Sequence, residues 1–438
     1  RVLFRSVQSG GALNSMVSLA LLLLPVACQL VGATNYKDAL YNNPEYTEYG
    51  RKIYFGDVVL SDEQEEMMKT NKLSMGENLW PRELGVPTIP YFIEHPDPKV
   101  SLLIEAAIEQ YHEKTCVRWK QVLPNFIGHK VRFYQGNGCW SFIGKNVFFF
   151  PAQNISIGPG CEYFHTVVHE MGHATGMFHT QQGVDRNNYV VIDMDNIEPG
   201  KESNFEMAFD AKHWDIPYNY YSVMHYAYWA FSKTGTPTII SKEIDAQYLM
   251  GTNEEGLVFT DAKAINMAYK CIDDWQSNCP TQECSNGGYV GRTCVCVCPP
   301  NTDGEHCEHL TGREYPLNPD CGGNVTYPTF IVSPDLNGPG HYRDCSWYIQ
   351  PPKGMLPKVT ISYANMFGDC WRNILTVRDH DLYLGTSYCH SDELPEGKTF
   401  TGTKHGLVLH FVSRYDHATV GYVGFSADVS FVHATPGE

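Results

Sequence analysis

Between residues 101 and 116, SLLIEAAIEQYHEKTC, apolar side chains recur at Leu103, Ala107, Ile108 and Tyr111. Steps of four, one and three place them on one stripe of a 3.6-residue helix, so the segment reads as an amphipathic helix packed on a core. KVRFY (130–134) and NVFFF (146–150) are short runs rich in β-branched and aromatic residues, which fit strands. FHTVVHEMGHATG (164–176) has no proline and closes on Gly176, a helix with a glycine stop. TDAKAINMAYKC (260–271) reads as a further helix with Thr260 as its N-cap. From Cys321 onward helical periodicity fades. KVTISY (358–363), ILTVRD (374–379), LVLHFVS (407–413) and YVGFSADVSF (422–431) alternate or run apolar between Gly and Pro, the pattern of an all-β sandwich.

The longest apolar run, MVSLALLLLPVACQLVGA (16–33), carries Pro25 and ends on small residues. A secretory signal peptide fits this better than a membrane span, so residues 1–33 are expected to be leader and signal peptide and the mature form to have no span. Residues 1–15 precede the first Met and are either a basic n-region or translated leader. At 438 residues the chain exceeds one average domain. Its net charge of −17 argues against nucleic acid and anionic membranes as partners.

Cysteine spacing sharpens the domain picture. Of 15 cysteines, Cys28 lies in the signal peptide and 14 remain, an even number that in a secreted chain implies disulfides. Cys116, Cys139, Cys161 and Cys271 are widely spread. Cys279 to Cys307 holds six in close array, and Cys321, Cys345, Cys370 and Cys389 are spread again. The order suggests a large domain, a small stapled module too short to build a core, and a third domain of moderate size. Asn154 (NIS) and Asn324 (NVT) sit in glycosylation triplets.

The chemistry concentrates in HEMGHATGMFH (169–179). His169 and His173 are four apart and share one helix face. Gly176 lets the chain take a positive φ, leave the helix and bring His179 back towards them. Three imidazoles and an open fourth position make a catalytic zinc site, so one Zn²⁺ per chain is expected. Glu170, beside the first ligand, can take a proton from water as general base. A rival set of His165, His169 and His173 spans about 12 Å along a straight helix and cannot surround one ion.

This motif, followed by SVMHY (222–226), resembles the astacin family of metzincin zinc endopeptidases. GCWSFIG (138–144), QNISIGPGC (153–161), DRNNY (185–189) and INMAYKC (265–271) extend the likeness. The resemblance implies a metzincin-type α+β domain over 73–273 with Met224 beneath the metal. It also implies Tyr226 as a movable ligand that stabilises the oxyanion. A propeptide over 34–72, cut near Lys72–Ser74, would silence the zinc through Asp57 of the segment Phe55-Gly56-Asp57. Thr34 to Thr115 contains no cysteine, which excludes silencing by a propeptide thiol. Residues 274–309 resemble an EGF-like module and 321–433 a CUB domain, an arrangement similar to nematode members of the family. The implied disulfides are Cys116–Cys271, Cys139–Cys161, Cys279–Cys294, Cys284–Cys296, Cys298–Cys307, Cys321–Cys345 and Cys370–Cys389.

The chain also departs from the family pattern. Thr180 follows the third histidine where a glutamate is usual, which removes an ion pair to the mature N-terminus. Met177 and Phe178 replace the usual Phe-aromatic order. Asn373 and Arg414 stand where many CUB domains carry calcium-binding aspartates, so no tight calcium site is expected. The reading is a secreted zymogen that cleaves extracellular proteins, with matrix or cell-surface contacts through its modules and a role in tissue penetration, moulting or hatching. The competing reading is a catalytically weak extracellular binding protein that uses those modules.

Overall fold

The computed structural model of the protein describes residues 41–69, 78–146, 152–207, 216–279, 283–312, 321–334, 343–366, 370–371, 373–414 and 423–434. The signal-peptide run, the Lys72–Ser74 cleavage region and most of the NVFFF run lie outside these residues.

The first layer is a mixed sheet. Its strands are β1 (Ile53–Tyr54), β2 (Val58–Val59), β3 (Arg82–Glu83), β4 (Val86–Glu94), β5 (Arg118–Gln121), β6 (Lys130–Tyr134), β7 (Cys139–Phe142) and β8 (Ala152–Ile157). The order is β1-β2-β7-β8-β6-β4-β3, with β5 also on β4. Strands β4, β6 and β8 run parallel, while β7 runs antiparallel to β8. β2 adds to the far edge of β7 in parallel register, Val58 opposite Ser141. The N-terminal segment therefore occupies the sheet edge and continues into α1 (Asp62–Lys69).

Two long helices pack on this sheet. α2 (Pro98–Lys114) begins earlier than its periodicity suggests, because Asp97 caps it by accepting from Lys99 N at 2.8 Å and Pro98 presets the first turn. Its buried stripe is Val100, Ile104, Ala107, Ile108 and Tyr111, while Leu103 is half-buried. α3 (Phe164–Thr175) is almost wholly buried. It shares one core with α2 and the sheet, including Ile89, Val131, Phe133, Ile155, Val168 and Met171.

The segment expected as one helix from Thr260 is two. α4 spans Phe259–Ala268, Lys270 turns the chain at φ 57°, and α5 spans Cys271–Asn278. The N-cap is Val258, whose N–H donates to Asp261 Oδ2 at 3.2 Å. The Thr260 hydroxyl instead accepts from Asn219 Nδ2 at 2.5 Å, so a tertiary contact takes the group that local sequence offered as a cap.

All 14 described cysteines pair. The bonds are Cys116–Cys271, Cys139–Cys161, Cys279–Cys294, Cys284–Cys296, Cys298–Cys307, Cys321–Cys345 and Cys370–Cys389. Residues 283–312 form two minimal hairpins, Tyr289–Val290 with Cys296–Val297 and Thr302–Asp303 with His309–Leu310. The C-terminal part is a sandwich of a five-stranded and a four-stranded sheet. The expected runs appear as Met355–Asn365, Asn373–Arg378, Leu407–Ser413 and Gly424–His433. Inner-face residues from both sheets, such as Trp347, Leu409, Val359 and Phe425, form one core. Among the described residues no helix is long and apolar enough to cross a membrane.

Candidate metal centre

α3 presents His169 and His173 on one face. Gly176 then ends the helix at φ 106°, and a Cβ there would meet Leu79 Cδ2 at 3.1 Å. The turn places His179 against the other two rings, with centroids 5.2 Å from His169 and 4.8 Å from His173. All three histidines are buried. Nε2 of His169 lies 3.1 Å from Nε2 of His173 and 3.3 Å from Nε2 of His179.

The other ring nitrogens fix the tautomers. His169 Nδ1 donates to Val223 O at 2.7 Å and His173 Nδ1 to Met177 O at 2.8 Å. A carbonyl only accepts, so each Nε2 carries a lone pair that points inward. His179 Nδ1 meets Gln182 Oε1 at 3.1 Å. Burial pushes His173 down to about 4, with Asp57 opposing the shift, which keeps its imidazole neutral as a ligand must be.

Asp57 completes the group. Its Oδ2 is 3.1 Å from His169 Nε2, and its Oδ1 is 3.3 Å and 3.1 Å from Nε2 of His173 and His179. Among the described residues these four form a cluster whose ligand atoms lie within 4.8 Å of one another. Burial alone would raise the Asp57 carboxyl. Positive charge at His179 and His173 and hydrogen bonds from the rings would outweigh it and hold the carboxyl well below the usual range; with the imidazoles neutral, a cation between them has to take that part. Four lone-pair donors facing one point, with no proton between the imidazoles, repel unless a cation lies there. At Zn–N distances of about 2.0–2.1 Å, tetrahedral ligands stand about 3.3 Å apart, which matches the spacing of the rings. The residues present fit zinc.

Glu170 is fully buried beside this cluster, and neither carboxylate oxygen has a hydrogen-bond partner among the described residues. Burial, then the charge of Asp57, pushes its carboxyl well above the usual range. His165 stands outside the cluster and stacks on Tyr163, centroids 5.6 Å apart.

Met224 packs directly beneath α3. A Cβ on Gly172 would meet its sulfur at 2.6 Å, so the glycine is what allows the approach. Thr180 N donates to Met224 O at 3.0 Å, tying the chain after His179 to this turn. Asp261 cradles the turn, accepting from Ser222 Oγ at 2.6 Å and Val223 N at 3.1 Å. Tyr226 sits with its ring 4.5 Å from that of His179, and its hydroxyl donates to Phe55 O.

Sequence reasoning missed the residues that hold the Asp57 segment. Asn43 donates through Nδ2 to Gly56 O at 2.8 Å and also to Cys139 O, while its Oδ1 accepts from Cys139 N at 2.8 Å. Ala227 N donates to Tyr41 Oη at 2.7 Å, and Tyr134 donates to Glu48. YNNPE carries no pattern that marks such a clamp.

The family model described as Astacin (Peptidase family M12A) matches residues 73–270. Zinc metalloproteinase nas-28 of Caenorhabditis elegans is 30% identical over 410 residues, covering 86% of this chain and 79% of that protein. The chain therefore belongs to the astacin family. It is also 32% identical over 388 residues to Blastula protease 10 of Paracentrotus lividus, covering 82% of this chain and 62% of that protein. Among solved structures it resembles High choriolytic enzyme 1, a hatching enzyme zinc-protease from Oryzias latipes, at 30% identity and a TM-score of 0.40. That match covers 45% of this chain and 96% of the other. The chain thus spans about three-fifths of Blastula protease 10 and of Protein SpAN of Strongylocentrotus purpuratus, at 62% and 58% of their lengths.

Proposed function

We propose that this chain is a secreted zinc endopeptidase made as a zymogen, acting on extracellular proteins. The observation that carries the reading is the convergence of three Nε2 lone pairs beside the unpartnered, buried carboxylate of Glu170. His169, His173 and His179 would hold zinc, which supplies a Lewis acid and lowers the pKa of water. Glu170 takes the proton and later delivers it to the leaving amine. Tyr226, freed from Phe55 once the N-terminal segment is gone, donates its hydroxyl to the developing oxyanion.

Residues 34–72 act as the propeptide. Asp57 fills the position a water needs, and β2 blocks the β7 edge to which an extended substrate would add. The protease domain covers 73–273, an EGF-like module 274–309 and a CUB domain 321–433. The stapled hairpins and the two-sheet sandwich support those module assignments. Seven disulfides support an oxidising, extracellular setting and the signal-peptide reading of residues 1–33. Asn324, exposed, is the more accessible glycan site, while Asn154 is half-buried in β8. Thr180, bonded to Met224, offers no carboxylate to a new N-terminus. Asn373 and Arg414 are both buried and bring no acid to a calcium site.

The test is turnover of casein by protein freed of residues up to about 72. A chelator should abolish it. Glu170→Ala should keep one zinc per chain and lose activity, and an active Glu170→Ala protein would overturn the assignment of the base.

A further inference from the structure

Arg414 directly follows the sandwich strand Leu407–Ser413 and is only 2% exposed. Its guanidinium reaches across to the protease domain. Nη1 donates to Trp371 O at 2.9 Å on its own side and to Gly235 O at 3.4 Å on the other. Nη2 donates to Tyr228 Oη at 3.4 Å, and the guanidinium carbon lies 5.0 Å from the Trp229 ring centroid. Trp371 in turn covers Gly235, where φ is 85° and a Cβ would come within 2.9 Å of the indole and 3.0 Å of the Trp371 Cα. Gly235 and Trp371 thus meet at a spacing that only glycine allows, and the guanidinium bonds the carbonyls of both.

Two further contacts lie beside this one. His410 donates through Nε2 to Asp344 Oδ1 at 2.7 Å, both residues buried, and its ring meets the Tyr228 ring edge-on at 5.7 Å. Val412 belongs to the apolar cluster that contains Tyr226, Tyr228, Phe231, Leu249 and Met250. Phe231 touches Tyr226 directly, with centroids 5.7 Å apart. A line of packed side chains therefore runs from the sandwich to Tyr226.

A guanidinium buried to this degree is tolerated where its Nη donors and its π-face are engaged, and water would claim those that face Gly235, Tyr228 and Trp229 were the sandwich to swing free. We propose that the C-terminal sandwich is a fixed wall of the catalytic unit, latched by Arg414 to the Tyr228–Gly235 loop and supporting the segment that carries Tyr226. It is not a module tethered by a loose linker. The arginine that stands where many CUB domains carry a calcium-binding aspartate has a structural use here, as an intramolecular cation facing another domain. The consequence for turnover rests on the endopeptidase reading, whereas the latch does not.

The experiment uses the full chain, zinc-loaded, as wild type, Arg414→Lys and Arg414→Met. Hydrogen exchange is followed in residues 228–235, solution scattering reports the radius of gyration, and kcat and KM are measured after removal of the N-terminal segment. Arg414→Met should raise exchange in 228–235 by about 10- to 100-fold, as expected for lost bonds to a charged donor. It should also enlarge the radius of gyration and lower kcat more than it raises KM, with zinc retained. Arg414→Lys, which keeps the charge but not the fork, should fall between. Wild-type exchange and radius in Arg414→Met would overturn the latch. Should that variant not fold, the wild type decides alone. Protection of 228–235 together with residues 343–349 as one opening unit supports docking, and an unprotected 228–235 overturns it. A wild type that is protected yet turns over no substrate leaves the latch standing and sinks the endopeptidase reading instead.

Discussion

Replacing Asp57 by alanine in the uncleaved chain removes the carboxylate that stands 3.1–3.3 Å from three ring nitrogens. The rest of the N-terminal clamp stays in place. Asn43 still bridges Gly56 and Cys139, Tyr41 still accepts from Ala227, and β2 still pairs with β7. The loss is therefore that of one charged contact, about 1.5–3 kcal/mol. At tenfold per 1.4 kcal/mol, the open fraction and with it the basal turnover should rise by about 10- to 150-fold. The assay is hydrolysis of a quenched fluorescent peptide by the intact zymogen, with mass spectrometry confirming that the chain stays uncut. Asp57→Asn, similar in shape but uncharged, should show most of the effect. Basal turnover within about twofold of wild type would refute the argument and shift inhibition to strand pairing at the β7 edge.

Gly176→Ala places a Cβ at φ 106° and 3.1 Å from Leu79. The strain, about 1–2 kcal/mol, should appear as zinc affinity weakened roughly 5- to 30-fold in chelator competition, and an unchanged affinity would show that the turn does not position His179. Burial raises Asp261 to about 6, while its bonds from Ser222, Val223 and Val258 oppose the shift. The unfolded value is near 4, so the folded state holds the proton more tightly. That contribution is complete below about pH 4 and is lost as pH rises through 6, by about 3 kcal/mol. Unfolding free energies of wild type minus Asp261→Asn, measured from pH 4 to 7, should fall by that order, and a flat difference would contradict the burial argument.

Much of this molecule was legible because its signals are local. The i, i+4 histidines and the terminating glycine lie within eleven residues, and the structure closes them into one cluster. The alternating C-terminal runs became the strands of a two-sheet sandwich because a period of two admits little else. What could not be read depends on contacts distant in sequence. Asn43 meets Cys139 across 96 positions, Asp261 holds a turn 38 positions earlier at Val223, and Arg414 meets Gly235 across 179. Thr260 read as the helix cap, and no sequence pattern marked Asp261 for a role. Arg414 read only as a lost aspartate, since nothing in its neighbours names the loop it covers.

Zinc K-edge absorption on the intact, uncut chain tests the central claim most directly. Three imidazole nitrogens at about 2.0–2.1 Å and a carboxylate oxygen should surround one metal per chain, with the oxygen shell altered in Asp57→Ala. A spectrum fitted by two imidazoles or fewer, or a shell that ignores the loss of Asp57, would contradict it.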